Sequence, residues 1–259
     1  MKILKIIPII ILTSILLALR SKKKTNQMRN FISFLGLIIV ITLISSCNKQ
    51  DNKENIFTPI SVNWMPNYLE LQEFHNKGYT VINGTITIRD IDNINDLSLL
   101  SNVRRITGSL GFFDNLNLTS INGLQNLESV GGLWIGGLPY IHHYSNIRSL
   151  QGFNPNLKIE RFLYITENQY LKELKGLDWI TIVDFKVNID NNDSIVSLSG
   201  LGNITNINSQ FMITYNKNLT DLCAINDGVK SIQESYLFKV QGNKFNPSID
   251  DFLAGNCSQ

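Results

Sequence analysis

Few side chains in this 259-residue chain have both the type and the spacing for chemistry. There are three cysteines (Cys47, Cys223, Cys257) and three histidines, of which His142 and His143 are adjacent and His75 stands alone. The histidine pair lies between Tyr140 and Tyr144 in the stretch GGLPYIHHYSN, residues 136–146. Aromatic side chains on a loop offer large contact area at small entropic cost, and their rings stack on sugars. Tyr140, His142, His143 and Tyr144 are therefore the candidate ligand-binding residues, against the alternative of a tolerated insertion whose Tyr140 and Ile141 fold back. A metal site is not expected there, because adjacent side chains on an extended chain diverge and only one further imidazole exists. Asp190-Asn191-Asn192-Asp193 has the composition of part of a calcium loop but lacks the glycine and glutamate that an EF-hand needs. No Ser/His/Asp spacing, glycine-rich phosphate loop or carboxylate pair stands out. No catalytic residue and no cofactor is expected.

What must position these residues is a repeat. Ile82, Ile106, Val130, Ile159, Val183 and Ile207 are separated by 24, 24, 29, 24 and 24 residues. Four and six positions after each start come apolar pairs: Ile86/Ile88, Leu110/Phe112, Leu163/Ile165, Val187/Ile189 and Phe211/Ile213. The third copy reads Leu133/Ile135, one residue short, and is then longer than its neighbours across 136–146. The period-2 stretch predicts a short strand with one buried face. Leucine or isoleucine then returns every third residue, as in Leu118, Ile121 and Leu124, which suits a chain turning corners. Gly123, Gly152, Gly176 and Gly200 recur just before the last of these, for positive φ or close approach between coils. Asn115, Asn168, Asn192 and Asn216 recur nine positions into their copies, which predicts a ladder of turn asparagines bonded to neighbouring backbone. The fold class is a β-solenoid of about six 24-residue coils, each burying its apolar side against its neighbours. The outward strand positions read mostly as Thr, Asn and Gly. Asn63–Tyr79 is expected to form a short capping helix, with Pro66 in its first turn and Gly78 near its end.

The N-terminal segment reads as targeting signal. MRNFISFLGLIIVITLISSC, from Met28, has a basic residue, an apolar run and then Ile44-Ser45-Ser46-Cys47. This resembles a bacterial lipoprotein signal with its lipobox, which implies cleavage before Cys47 and lipid on its sulfur and amino group. Residues 1–46 form the leader, with Met28 the expected start and 28–46 the signal peptide; residues 47–62 form a polar, lipidated tether and 63–259 the solenoid. The leader holds seven Lys/Arg and no acid, leaving 16 basic against 21 acidic residues. That balance, without a basic stripe, excludes nucleic-acid binding. With Cys47 lipidated, Cys223 and Cys257 fit a single disulfide in an oxidising compartment, two buried free thiols being the alternative. A bridge would close the last coil against the end of the chain.

GYTVINGTITI (78–88), ITGSLGFFDNLNLTSINGLQNLESV (106–130) and YLFKVQGNKFNPSIDDFLAGNC (236–257) are similar to bacterial receptor L-domain-like proteins, leucine-rich solenoids typical of exported Bacteroidota lipoproteins. The resemblance implies a right-handed β-helix without enzymatic activity and supplies no ligand. The expected function is a lipid-anchored recognition module of the cell envelope, at the outer membrane, on either its outer or its periplasmic side. Its ligand would be a protein or a glycan, met by the solenoid face and the 136–146 loop. Two other readings stay open: a structural component of an outer-membrane complex and, more remotely, a β-helix polysaccharide-active enzyme.

Overall fold

A computed structural model describes residues 54–61, 63–137 and 145–259. Cys47, the leader, Tyr140, His142, His143 and Tyr144 lie outside the described residues. The folded unit, Glu54–Gln259, is mostly β and is organised on one ten-stranded sheet in which every strand pairing is parallel. Its strands are β1 (Ile56–Phe57), β2 (Asn63–Trp64), β3 (Val81–Ile82), β4 (Thr85–Arg89), β5 (Arg105–Phe113), β6 (Ser129–Gly136), β7 (Lys158–Thr166), β9 (Lys186–Asp190), β11 (Phe211–Thr214) and β12 (Phe238–Gln241). A second, two-stranded sheet joins β8 (Ile182–Val183) to β10 (Asn206–Ile207).

The repeat is the strand register. Ile86 pairs with Leu110, Val187 with Phe211, and the rows between follow the same order. Two inward rows result. Ile86, Leu110, Leu133, Leu163, Val187 and Phe211 are at most 2 % exposed, and Ile88, Phe112, Ile135, Ile165, Ile189 and Ile213 are fully buried. The leucines of the corners complete one continuous core. The short third copy is explained by a register shift: Ile106-to-Ser109 in β5 faces Val130-to-Gly132 in β6, so β6 lacks the residue that β5 bulges out.

Two devices lock coil to coil. At the ends of β4, β5, β7, β9 and β11 one residue adopts positive φ: Asp90, Asp114, Glu167, Asn191 and Tyr215 lie at 53–57°. The residue that follows at four of these corners is a buried asparagine, as the spacing predicts. Asn192 is representative. Its Nδ2 donates to the carbonyls of Ile165 (2.9 Å) and Asp190 (3.1 Å), while its Oδ1 accepts the backbone N–H of Asn168 (3.1 Å). Asn115, Asn168 and Asn216 donate likewise to Ile88, Ile135 and Ile189 one coil before, and Asn243 extends the ladder by donating to Ile213. The ladder skips the third coil, where Gly136-Gly137 occupy the corner and the insertion begins. The second device is glycine. A methyl group at Gly123, Gly176 or Gly200 would stand 2.0–2.2 Å from a carbonyl oxygen of the preceding coil, and each has φ above 100°. Both reasons for glycine apply at once.

The ends differ from expectation in two ways. Residues 54–61 of the stretch expected as tether belong to the domain instead. Ile56 and Phe57 pair with Val81 and Ile82, and Glu54 forms an ion pair with Arg105 at 2.7 Å. Phe57 is the reason: its ring packs on Trp64, Phe74 and Tyr79 at centroid distances of 4.5–5.3 Å and covers the open first coil. The capping helix α1 (Tyr68–Asn76) is present, but Pro66 lies outside it. Asn67 is the N-cap. Its side chain accepts from the Glu70 N–H (3.0 Å) and the Glu70 carboxylate accepts from the Asn67 N–H (2.8 Å), a reciprocal box that outcompetes a proline start. At the other end Cys223 and Cys257 form a disulfide. The short helices α2 (Asn226–Lys230) and α3 (Ile249–Leu253) close the core there, with Phe252 fully buried.

Asn192 therefore stabilises three coils at once. Asn192→Ala leaves buried backbone donors and acceptors without partners, an expected loss of about 2–5 kcal/mol in urea unfolding. The exposed Asn156→Ala serves as control and is expected to stay within about 0.5 kcal/mol of the parent.

Candidate functional site

The inward rows are consumed by the core, so the sheet can present only its outward rows. The central outward row runs Thr87, Gly111, Trp134, Tyr164, Asn188, Met212, Lys239 across seven strands, and a flanking row runs Gly132, Phe162, Lys186. On the middle strands these rows form an aromatic strip. Phe113 and Trp134 have ring centroids 5.9 Å apart, Trp134 and Tyr164 meet edge-to-face at 5.6 Å, and Phe162 lies 4.6 Å from Tyr164. Trp134, Phe162 and Tyr164 are half-buried; Phe113 is nearly covered.

Glycine makes this arrangement possible. A methyl group at Gly132 would stand 2.4 Å from the Phe162 ring, and one at Gly111 3.0 Å from Phe113. Each ring therefore lies across a glycine of the neighbouring or same strand instead of standing off the sheet. Gly131 does the same for the Arg161 guanidinium, 2.6 Å from where its methyl would be. Polar contacts fix the rest. The Trp134 indole N–H donates to the Thr166 hydroxyl (2.8 Å), which in turn donates to the Gly137 carbonyl (2.6 Å). The Lys186 ammonium sits 5.8 Å from the Tyr164 ring centroid, within reach of its π-face. The Arg161 guanidinium donates to the Ser109 hydroxyl (3.2 Å). Along the far edge, burial pushes the Asp190 carboxyl above its usual range, partly offset by the hydrogen bond it accepts from the Thr214 hydroxyl.

The sequence-derived candidates divide accordingly. The aromatic and histidine residues of the loop lie outside the described residues, but the loop's stem is placed. Gly137 donates to the Thr166 carbonyl (2.8 Å) and Ser145 to the Glu167 carbonyl (3.3 Å), so the insertion leaves and re-enters beside the Trp134–Thr166 pair. His75 belongs to the capping helix, its Nδ1 3.2 Å from the Leu99 carbonyl. The acidic stretch 190–193 does not converge: Asp190 binds Thr214, Asn192 belongs to the ladder, and Asp193 pairs with Lys217 at 2.9 Å. Among the described residues no group of three His, Cys, Asp or Glu is placed to hold a metal, and no helix is long and apolar enough to cross a membrane.

The expectation that outward strand positions are mostly Thr, Asn and Gly is corrected on the middle strands. The missed signal was the residue between the two inward apolars: Trp134 in Leu-Trp-Ile and Tyr164 in Leu-Tyr-Ile. Period-2 alternation places such residues outward by the same logic that buries their neighbours.

Against known families, residues 79–183 match the family described as Receptor L domain, a span that includes Phe113, Trp134, Phe162 and Tyr164. No curated protein and no solved structure matches the chain.

The two kinds of glycine separate experimentally. Gly132→Ala displaces only the end of the Phe162 side chain, so it is expected to change the near-ultraviolet circular dichroism while lowering stability by no more than about 1 kcal/mol. Gly176→Ala sets a methyl group against the backbone carbonyl of Leu150 at positive φ and is expected to cost about 2 kcal/mol or more.

Proposed function

We propose that this chain is a non-catalytic recognition module. In this reading lipid on Cys47 holds it at a membrane of the cell envelope, and it meets its ligand or partner through the outward face of the main sheet and the adjoining 136–146 loop. The observation that carries the reading is the aromatic strip, built over glycines on the face of the sheet that the core does not use. Large rings kept half-exposed in fixed orientation are characteristic of contact surfaces, where aromatic area is gained with little loss of rotamer freedom. The similarity of residues 79–183 to a Receptor L domain supports recognition over catalysis. The finer architecture goes with it: a right-handed β-helix of about six coils, capped by α1 at one end and closed by the Cys223–Cys257 bridge at the other. That bridge supports an oxidising compartment, and the lipobox-like stretch before Cys47 supports an outer-membrane anchor.

The test uses the full chain in intact cells, with a photoreactive residue at Asn188 or Met212 on the face and at the exposed Lys172 as control. Irradiation is expected to give a discrete adduct from the face positions alone, reduced by Trp134→Ala. Adducts from Lys172 to the same extent, or none from the face, would contradict the reading. An adduct with a stoichiometric envelope protein whose complex dissociates in Trp134→Ala would move the assembly role ahead. Cys47→Ser is expected to shift the protein from the membrane to the soluble fraction.

A further inference from the structure

The chemistry around the strip points to a class of ligand, an inference that rests on the recognition reading above. Residues 54–259 carry 14 basic and 20 acidic side chains, so the domain is net acidic. Many of its cations are neutralised locally: Lys77 by Glu73, Arg104 by Glu128, Arg105 by Glu54, Lys217 by Asp193. Arg161 and Lys186 are not. Neither has a carboxylate within ion-pair distance among the described residues. Arg161 is held over Gly131 by the Ser109 hydroxyl, and Lys186 pairs in register with Phe162 and lies over Tyr164. Other cations, Lys158, Lys172 and Lys239 among them, also have no ion pair among the described residues, but Arg161 and Lys186 are placed to bracket the Phe162–Tyr164 end of the strip.

Gly111, Gly131 and Gly132 remove the side chains that would build walls, and the rings fill the gaps they leave. What remains is a shallow surface with rings spaced 5.9 and 5.6 Å apart from strand to strand, close to the strand spacing of about 4.8 Å. A chain of pyranoses advances by a comparable distance per sugar. Each pyranose offers an apolar C–H face to an aromatic ring and hydroxyls at its rim, which Ser109 and Asn188 border on the outward rows.

We infer that the Trp134–Tyr164–Phe162 part of the strip binds an anionic glycan laid across the strands, its sugar rings on these half-exposed aromatic side chains and its carboxylate or sulfate groups on Arg161 and Lys186. The net acidic domain favours a ligand whose charge is sparse and met locally over a continuous phosphate backbone.

The experiment is titration calorimetry of the detergent-solubilised full chain with probes of matched length: a hyaluronan oligosaccharide and a kappa-carrageenan oligosaccharide, whose carboxylates or sulfates fall on alternate sugars, a neutral dextran oligomer, a single-stranded oligonucleotide and an acidic peptide. Binding of at least one anionic glycan is expected, with dextran weaker by about tenfold or more at low salt. Trp134→Ala and Tyr164→Ala should each weaken it by about tenfold, and Trp134→Phe should restore most of it. Lys186→Ala and Arg161→Ala should weaken it and flatten its salt dependence. Circular dichroism and the disulfide serve as folding controls. Should Trp134→Ala fail to fold, Tyr164→Leu and the two charge variants carry the test. Absence of binding to both anionic glycans, equal binding of dextran, binding unaffected by loss of the rings, or preference for the single-stranded oligonucleotide or the acidic peptide would each overturn the inference. Photo-crosslinks from Asn188 or Met212 that persist alongside such a failure would leave the recognition reading standing and remove only the glycan. Loss of both would remove both.

Discussion

The hydrogen-bond chain through the buried asparagines is the interaction on which the rest of this molecule depends. A solenoid corner must turn the backbone sharply while hiding its peptide groups from water, and an unpaired buried amide costs as much as a lost hydrogen bond. Here β4, β5, β7, β9 and β11 each end in a residue at positive φ, and the asparagine that follows at four of these corners, as at Asn192, reaches back one coil with both its side-chain amide and its side-chain carbonyl and forward one coil with its backbone N–H. Because these Asn side chains bond to the backbone of the preceding coil, adjacent coils cannot slip by a residue without breaking several buried bonds at once. The glycines that meet the preceding coil's carbonyls enforce the same spacing from the other corner.

That fixed register is what allows the outward face to be useful. Inward rows of isoleucine, leucine and phenylalanine leave no freedom in strand position, so residues between them are delivered to predictable places outside. Trp134 and Tyr164 are neighbours in space only because Leu133 and Leu163 are neighbours in the core. The third coil departs from the rule in a consistent way. It lacks a corner asparagine, substitutes Gly136-Gly137, and releases the 136–146 loop at the end of the strand that carries Trp134. The break in the ladder and the two described ends of the insertion, Gly137 and Ser145, lie beside the Trp134–Thr166 pair.

The repeat was legible in the sequence because burial leaves a strong residue-type signal. Ile86, Leu110 and Phe211 could not be polar, and their spacing states which coil lies on which. The asparagine ladder was legible for the same reason: few residues other than Asn offer a donor and an acceptor at that corner. The capping helix is legible in the sequence within 63–79 but its first residue is not, because Pro66 and Asn67 both signal a helix start and only the reciprocal bond with Glu70 decides between them. Phe57 was hidden in a polar stretch, where one aromatic residue gives no period to detect. The aromatic strip went unread because outward residues obey no burial rule; Gly132 and Phe162 become partners only once a 30-residue separation is folded into adjacent strands. A disulfide between Cys223 and Cys257 followed from counting, but its place against α3 and the last coil required the fold.

The central claim is that the corner asparagines hold the coils in register, and hydrogen exchange reads it directly. The backbone amides of Ile91, Asn168, Asn192 and Asn216 each donate to the side chain of an asparagine one coil on. They sit in turns, where exchange is ordinarily fast. If the ladder holds the solenoid together, these four amides will exchange only through global opening, as slowly as the inner amides of β7 and β9. Exchange at the rate of an exposed turn such as Gly202, while the strands stay protected, would show that the coils are held by apolar packing alone and would contradict the account.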